Sequence, residues 1–131
     1  MSEIEIKLAA GTDVGLVRKN NEDNFVVNRD LSQSEWIIPQ SSETIPLGKY
    51  GTLLVVADGM GGTNAGEVAS AIAIETVQNA FTPEKLDKIV TFEGEMATEE
   101  AIEEFLTKTI KAADLNIVNA GKEDSSTQGM G

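Results

Sequence analysis

The sequence predicts an α+β fold in which helices stack on an antiparallel sheet. Three observations predict it. Short stretches of strand character lie before Asp58, and two longer stretches with helical apolar spacing follow a glycine-rich turn. The hydrophobic fraction, 40%, is high enough for a packed core. The 131 residues suffice for one domain and fall short of two.

Ile4-Glu5-Ile6-Lys7-Leu8-Ala9-Ala10 alternates apolar and polar residues with a period of two, as a half-buried strand does. Gly11-Thr12-Asp13-Val14-Gly15 reads as a turn, and the stretch from Leu16 to Asn24 is polar and rich in Asn. Asn24-Phe25-Val26-Val27-Asn28 reads as a short strand. Residues 29–49 carry Pro39, Pro46, Gly48 and several serines, which predicts a loop or irregular hairpin with a piece of strand at Trp36-Ile37-Ile38. Thr52-Leu53-Leu54-Val55-Val56-Ala57 is a continuous apolar run before a turn, the pattern of a strand buried on both faces.

Asp58-Gly59-Met60-Gly61-Gly62 is the glycine-rich turn. It feeds a helix expected over about Ala65 to Phe81, with Ala69, Ile72, Ala73, Thr76, Val77 and Ala80 on one face and Pro83 ending it. Residues 82–96 show no decisive pattern. A second helix is expected to start at Thr98 as N-cap, with Glu99 and Glu100 in its first turn, where negative charge suits the helix dipole. Its apolar face is Ile102, Phe105, Leu106, Thr109, Ile110, Ala113 and Ile117. Gly121 to Gly131 is polar and reads as a flexible loop. Helices on one side of a sheet leave its second face open, which points to part of a larger domain.

Composition excludes several chemistries. There is no Cys, which removes disulfides, zinc–thiolate sites and Cys nucleophiles, and no His, which removes a Ser-His-Asp triad and imidazole acid–base catalysis. The 22 Asp and Glu against 10 Lys and Arg give a formal charge of −12, which repels nucleic acid and anionic lipid and attracts cations. No apolar run approaches the ~20 residues of a membrane span. The acidic start Met1-Ser2-Glu3-Ile4-Glu5 lacks the basic and apolar regions of a signal peptide. The expectation is a soluble, cytoplasmic protein.

What remains is carboxylates on turns. Glu22 and Asp23 precede a strand, and Asp58 ends another with Gly59 behind it. Hard divalent cations such as Mg²⁺ and Mn²⁺ want oxygen ligands, and a glycine lets a carbonyl approach an ion without a Cβ in the way. Arg18 stands four residues before Glu22, and a guanidinium there suits a phosphate. Taken singly, each has an ordinary reading: Asp-Gly as a turn, Glu-Asp as solvated surface, Arg as a surface contact. The glycine run is not a nucleotide loop, because no Gly-Lys-Ser/Thr follows and the Rossmann spacing is absent.

Together the residues are more specific. Gly11-Thr12-Asp13-Val14-Gly15-Leu16-Val17-Arg18-Lys19-Asn20-Asn21-Glu22-Asp23-Asn24 resembles the opening motif of the type 2C family of metal-dependent Ser/Thr protein phosphatases, in which Arg precedes a Glu-Asp pair by four residues. Leu54-Val55-Val56-Ala57-Asp58-Gly59-Met60-Gly61-Gly62 resembles the second motif, a hydrophobic strand ending in Asp-Gly. Gly66-Glu67-Val68-Ala69-Ser70 is similar to the start of the helix after it, and Met130-Gly131 to the first half of a Met-Gly-Thr-Thr segment. The resemblance covers essentially the whole chain, and Asp-Gly-Met-Gly-Gly is the form typical of bacterial relatives.

The resemblance implies an antiparallel β-sandwich flanked by helices (α-β-β-α), of which residues 1–131 are the N-terminal half, with the C-terminal part missing. It implies a site for two Mn²⁺ or Mg²⁺ ions. Asp58 would bridge both, the Gly59 carbonyl would bind one, Glu22 and Asp23 would hold metal or its waters, and Arg18 would bind phosphate, so that Arg18 and Asp58 are the catalytic residues. The implied reaction is hydrolysis of phosphoserine or phosphothreonine in proteins by a metal-activated water, with no phosphoenzyme, in a signalling pathway served by a Ser/Thr kinase. Met60 departs from many eukaryotic relatives, which have His there, and cannot protonate a leaving group. Relatives also supply aspartates from later strands that this chain lacks, so the activity of residues 1–131 alone is left open, and self-association through the uncovered sheet is expected. The alternatives are a non-catalytic half-domain or pseudophosphatase that binds a phosphoprotein or another partner, and a plain α+β domain with a chance cluster of acids. The intact set Arg18, Glu22, Asp23 and Asp58 speaks against the first of these, and a melting temperature unchanged by Mn²⁺ would favour the second.

Overall fold

Among the described residues the chain forms two antiparallel strand pairs and three helices. The computed structural model describes residues 4–62, 64–90 and 98–131. Residues 1–3 of the acidic start, and residues 91–96 of the stretch without a decisive pattern, lie outside those described. In chain order the elements are β1 (Glu5–Leu8), β2 (Asp23–Asn28), β3 (Glu43–Pro46), β4 (Leu53–Asp58), α1 (Ala65–Ala80), α2 (Pro83–Val90) and α3 (Glu99–Glu123), followed by a 3-10 turn at Ser125–Thr127. The α+β class and the antiparallel pairing agree with the sequence.

β1 pairs with β3, with Ile6 opposite Ile45, and Leu8 and Ile45 are buried. β3 falls in the stretch where the sequence predicts a loop or irregular hairpin, with no strand piece placed there. It is four residues long with one buried apolar position, too short for a period to show. The strand expected at Trp36–Ile38 is a single bridge: Ile37 exchanges both backbone hydrogen bonds with Val27, at 2.8 and 2.9 Å. The next residue able to bond that neighbour would be Pro39, which has no N–H. Arg29, just after β2, makes a two-pronged ion pair with Glu43, the first residue of β3, at 2.8 and 2.9 Å. This clamp ties the two strand pairs together.

β2 and β4 pair from Asp23 opposite Asp58 to Asn28 opposite Leu53, and α1 packs against both strands. The expectation that the Thr52–Ala57 run is buried on both faces is corrected. Burial alternates, and Leu54 and Val56 are exposed at 52% and 78%. α1 covers one face of this pair, and no second layer covers the other among the described residues.

α1 begins after Asn64, whose backbone is left-handed with φ of 67°, and its first N–H, that of Ala65, bonds the Gly62 carbonyl at 3.1 Å. The predicted stripe is part of what it buries. Ser70 and Ile74 are buried as well, because α1 is wedged between the strands and α3 and needs two apolar sides. Pro83 lies beyond the end of α1 and also opens α2, where its missing N–H costs nothing.

Thr98 caps α3 as expected, its Oγ1 accepting the Ala101 N–H at 3.2 Å. The buried line of α3 is Thr109, Ala113 and Gly121, with Phe105, Ile117 and Ala120 half-buried beside it. Ile102, Leu106 and Ile110 belong to the predicted inner face but are exposed among the described residues. The flexible loop expected from Gly121 is also corrected. α3 continues to Glu123, Asp124 caps the 3-10 turn by accepting the Ser126 N–H at 2.9 Å, and Thr127 and Met130 are buried.

Among the described residues two core clusters lie at opposite ends of α1. Leu31, Phe81 and Leu86 form one, with Phe105 edge-on to Phe81 at 4.9 Å between ring centres. Ala65, Ala69 and Met130 form the other, against Ile72, Ile117 and Ala120. The second part lies beside the start of α1 and hence beside the glycine-rich turn.

Candidate functional site

Antiparallel pairing puts the start of β2 and the end of β4 at one edge of their sheet. Asp23 and Asp58 therefore stand directly opposite one another in the register. A cleft of about 730 Å³ opens there. All five residues singled out from the sequence line it: Arg18, Glu22, Asp23, Asp58 and Gly59.

Two glycines let three segments converge. The Gly59 N–H donates to the Glu22 carbonyl at 3.2 Å, and a Cβ on Gly59 would lie 1.9 Å from the Gly66 carbonyl oxygen and 2.8 Å from that of Glu22. A Cβ on Gly66 would lie 2.6 Å from the Glu22 carboxyl carbon. The absence of both side chains thus seats Glu22 against the first turn of α1, where unpaired N–H groups favour an anion. The Glu22 side chain is 15% exposed, while Arg18, 3.6 Å from it, is 75% exposed. So exposed an ion pair is weak and leaves the guanidinium free to take another anion.

The sequence reading passed over several contributors. Asp13, Asn20 and Asn21 also line the cleft. Asn20 donates to the Asn64 side chain at 2.7 Å, joining the Arg18–Glu22 segment to the start of α1. Asn21 donates to Thr12 Oγ1 at 2.7 Å and accepts the Asp23 N–H at 3.1 Å, which fixes the entry to β2. The density of Asn before the Glu-Asp pair was the available signal, since Asn side chains bridge loop backbones.

The charged residues lining the cleft are four carboxylates, Asp13, Glu22, Asp23 and Asp58, and one guanidinium, Arg18. Such a cleft attracts cations. All the donors are oxygen, which suits Mg²⁺ or Mn²⁺ rather than a soft metal. Among the described residues no three Asp or Glu side chains converge closely enough to hold an ion by themselves. The set still fits a hard cation that keeps several waters and takes one or two carboxylates, the ordinary habit of Mg²⁺.

Comparison with known proteins relates this chain to the serine/threonine phosphatases of bacteria. Over 120 residues, 92% of the chain, it is 32% identical to the protein named "Serine/threonine phosphatase stp" of Listeria innocua serovar 6a. It matches the protein of that name from Listeria monocytogenes serotype 4b equally, and that from Listeria welshimeri serovar 6b at 31% identity. The chain spans 37% of the length of these curated relatives. The recognition of a partial Ser/Thr phosphatase from sequence agrees with this. No protein-family model matches the chain. No solved structure matches it either. No helix among the described residues is long and apolar enough to cross a membrane.

Proposed function

We propose that this chain carries the metal- and phosphate-binding portion of a bacterial-type 2C protein phosphatase domain, which hydrolyses phosphoserine and phosphothreonine in proteins. The observation that carries the reading is Asp23 facing Asp58 across paired strands in an acidic cleft with Arg18 exposed beside it. The relatives' name supports it.

Asp58, Asp23 and the Gly59 carbonyl would hold Mn²⁺ or Mg²⁺, with Glu22 acting directly or through water. Bound there, the ions would supply a nucleophilic water at neutral pH and neutralise charge on phosphoryl oxygens. The chain's own groups do the rest. Arg18 offers paired N–H donors to two phosphate oxygens, exchanging Glu22 for the substrate. The turn after Asp58 sets the position of that carboxylate. With no His in the chain and a thioether at Met60, protonation of the leaving alkoxide falls to water. The substrate is a phosphoprotein from a Ser/Thr kinase pathway in the cytoplasm. The exposed Leu54 and Val56 would promote self-association where nothing covers them.

The test is Mn²⁺-dependent hydrolysis of a phosphothreonine peptide by residues 1–131, alongside the melting temperature with and without Mn²⁺. Wild type is expected to melt higher with Mn²⁺, and Asp58→Asn to lose both this shift and any turnover. A melting temperature indifferent to Mn²⁺ would sink the proposal. Binding of Mn²⁺ without turnover would favour a second reading, a non-catalytic module that binds a phosphoprotein. The lack of a three-carboxylate cluster among the described residues favours that reading.

A further inference from the structure

The turn that follows Asp58 has few side chains of its own to hold it. Gly59, Gly61 and Gly62 contribute no side chains, and the Met60 side chain is 67% exposed. Glycine loses more backbone freedom on ordering than any other residue, so such a turn stays in one place only if something outside restrains it. One restraint is the Gly59 N–H bond to Glu22, and a second is the Ala65 N–H bond to the Gly62 carbonyl at the end of the turn. The restraint on Met60, between these two, comes from the segment beyond α3 and the 3-10 turn. Met60 and Gly131 exchange both backbone hydrogen bonds: Met60 N–H donates to the Gly131 carbonyl, and Gly131 N–H to the Met60 carbonyl at 2.9 Å.

Gly131 has no side chain of its own to fix it. Its neighbour Met130 does. Met130 is 8% exposed and sits with Ala65 and Ala69 of α1, against Ile117 and Ala120 of α3. Its N–H bonds the Thr127 carbonyl at 3.2 Å, and Gly129, with φ of +82°, bends the backbone between them. The thioether is therefore driven into the seam between the two helices by burial, and its insertion leaves Gly131 alongside Met60.

We infer that Met130 is a positioning residue for the turn that follows Asp58, acting through the backbone pair between Gly131 and Met60. Burying the side chain in the α1–α3 seam fixes the turn and hence the Gly59 carbonyl and the Asp58 carboxylate. The consequence for metal affinity rests on the proposed function; the consequence for the order of the turn does not.

The test compares Met130→Ala with Leu86→Ala, a truncation in the core cluster at the other end of α1. Met130→Leu, which refills the seam, is the rescue variant. Amide hydrogen exchange at Met60 and Mn²⁺ affinity by titration calorimetry are the readouts. Met130→Ala should speed Met60 exchange well beyond the rate in Leu86→Ala at a similar loss of melting temperature. It should also weaken Mn²⁺ binding roughly tenfold, the effect of losing a support behind a metal ligand. Met130→Leu should restore both. If Met130→Ala does not fold, Met130→Val removes less volume and serves the same comparison. Equal acceleration at Met60 in the two core variants, or none in the Met130 variant, overturns the inference. If wild type binds no Mn²⁺ the proposed function fails, and exchange at Met60 alone decides this one.

Discussion

Gly59 and Gly66 show how much of the cleft depends on what is absent. Gly59→Ala would push a methyl group to 1.9 Å from a backbone oxygen that has nowhere to go. It should cost about 3 kcal/mol by urea unfolding. Gly62→Ala, three residues on with open space around its Cβ position, should change stability by less than about 0.5 kcal/mol. Arg29 and Glu43 carry a different signature. The hydrogen bond from Arg29, opposed by partial desolvation and aided by its charge, holds the Glu43 carboxyl below its usual range. A depressed carboxyl stabilises the fold above its unfolded value, near ~4.3, and that contribution is lost as pH falls through the folded value. Glu43→Gln should therefore lower the melting temperature at pH 7, and the gap to wild type should shrink on acidification below about pH 4. The Asp58-Gly59 step and the Arg18–Glu22 spacing were legible in sequence because each is local. The seat of Glu22 on Gly66 was not, because it joins residues that meet only through β2, β4 and α1.

Elements were legible where one period ran long enough and only one side was buried. α3 announced its start through Thr98, and Thr98→Ala should cost about 1 kcal/mol of unfolding free energy, seen as a lower urea midpoint with unchanged slope. β3 was hidden because four residues with one inward side chain have no period to read. α1 shows one stripe in the sequence, whereas Ser70 and Ile74 are buried too, on a helix that packs against both the strands and α3. The stretch after Gly121 read as loop on its polarity. The Asp124 cap and the burial of Thr127 and Met130 reverse this, with the Met130 thioether lying against both helices.

At the scale of the whole molecule the governing quantities are charge and cover. With a formal charge of −12, the folded chain repels itself more than the expanded one does. Its exposed ion pairs, such as Lys108 with Glu104 at 2.8 Å, return little. Raising NaCl from tens of millimolar to about 0.5 M shortens the Debye length to a few ångström and should raise the melting temperature, which differential scanning fluorimetry would record. A Mn²⁺ shift is therefore best measured at the higher salt, where general screening is already complete. Cover was the least legible property. The sequence showed apolar residues in plenty, but whether Val56 or Ile110 is core or surface depends on layers set by the fold as a whole.

Met60 pairs through its backbone with Gly131, the neighbour of Met130, yet one thioether faces water and the other is sealed between helices. Oxidants therefore meet them in a fixed order. Sulfoxide formation at Met60 changes an exposed side chain at the lip of the cleft and can be reversed by reductases. At Met130 the same oxygen atom would make polar and bulky a side chain that must lie flush against Ala65 and Ala69. The outer sulfur is thus exposed to chemical wear while the inner one, on which the shape of the turn depends, is screened by the helices it joins.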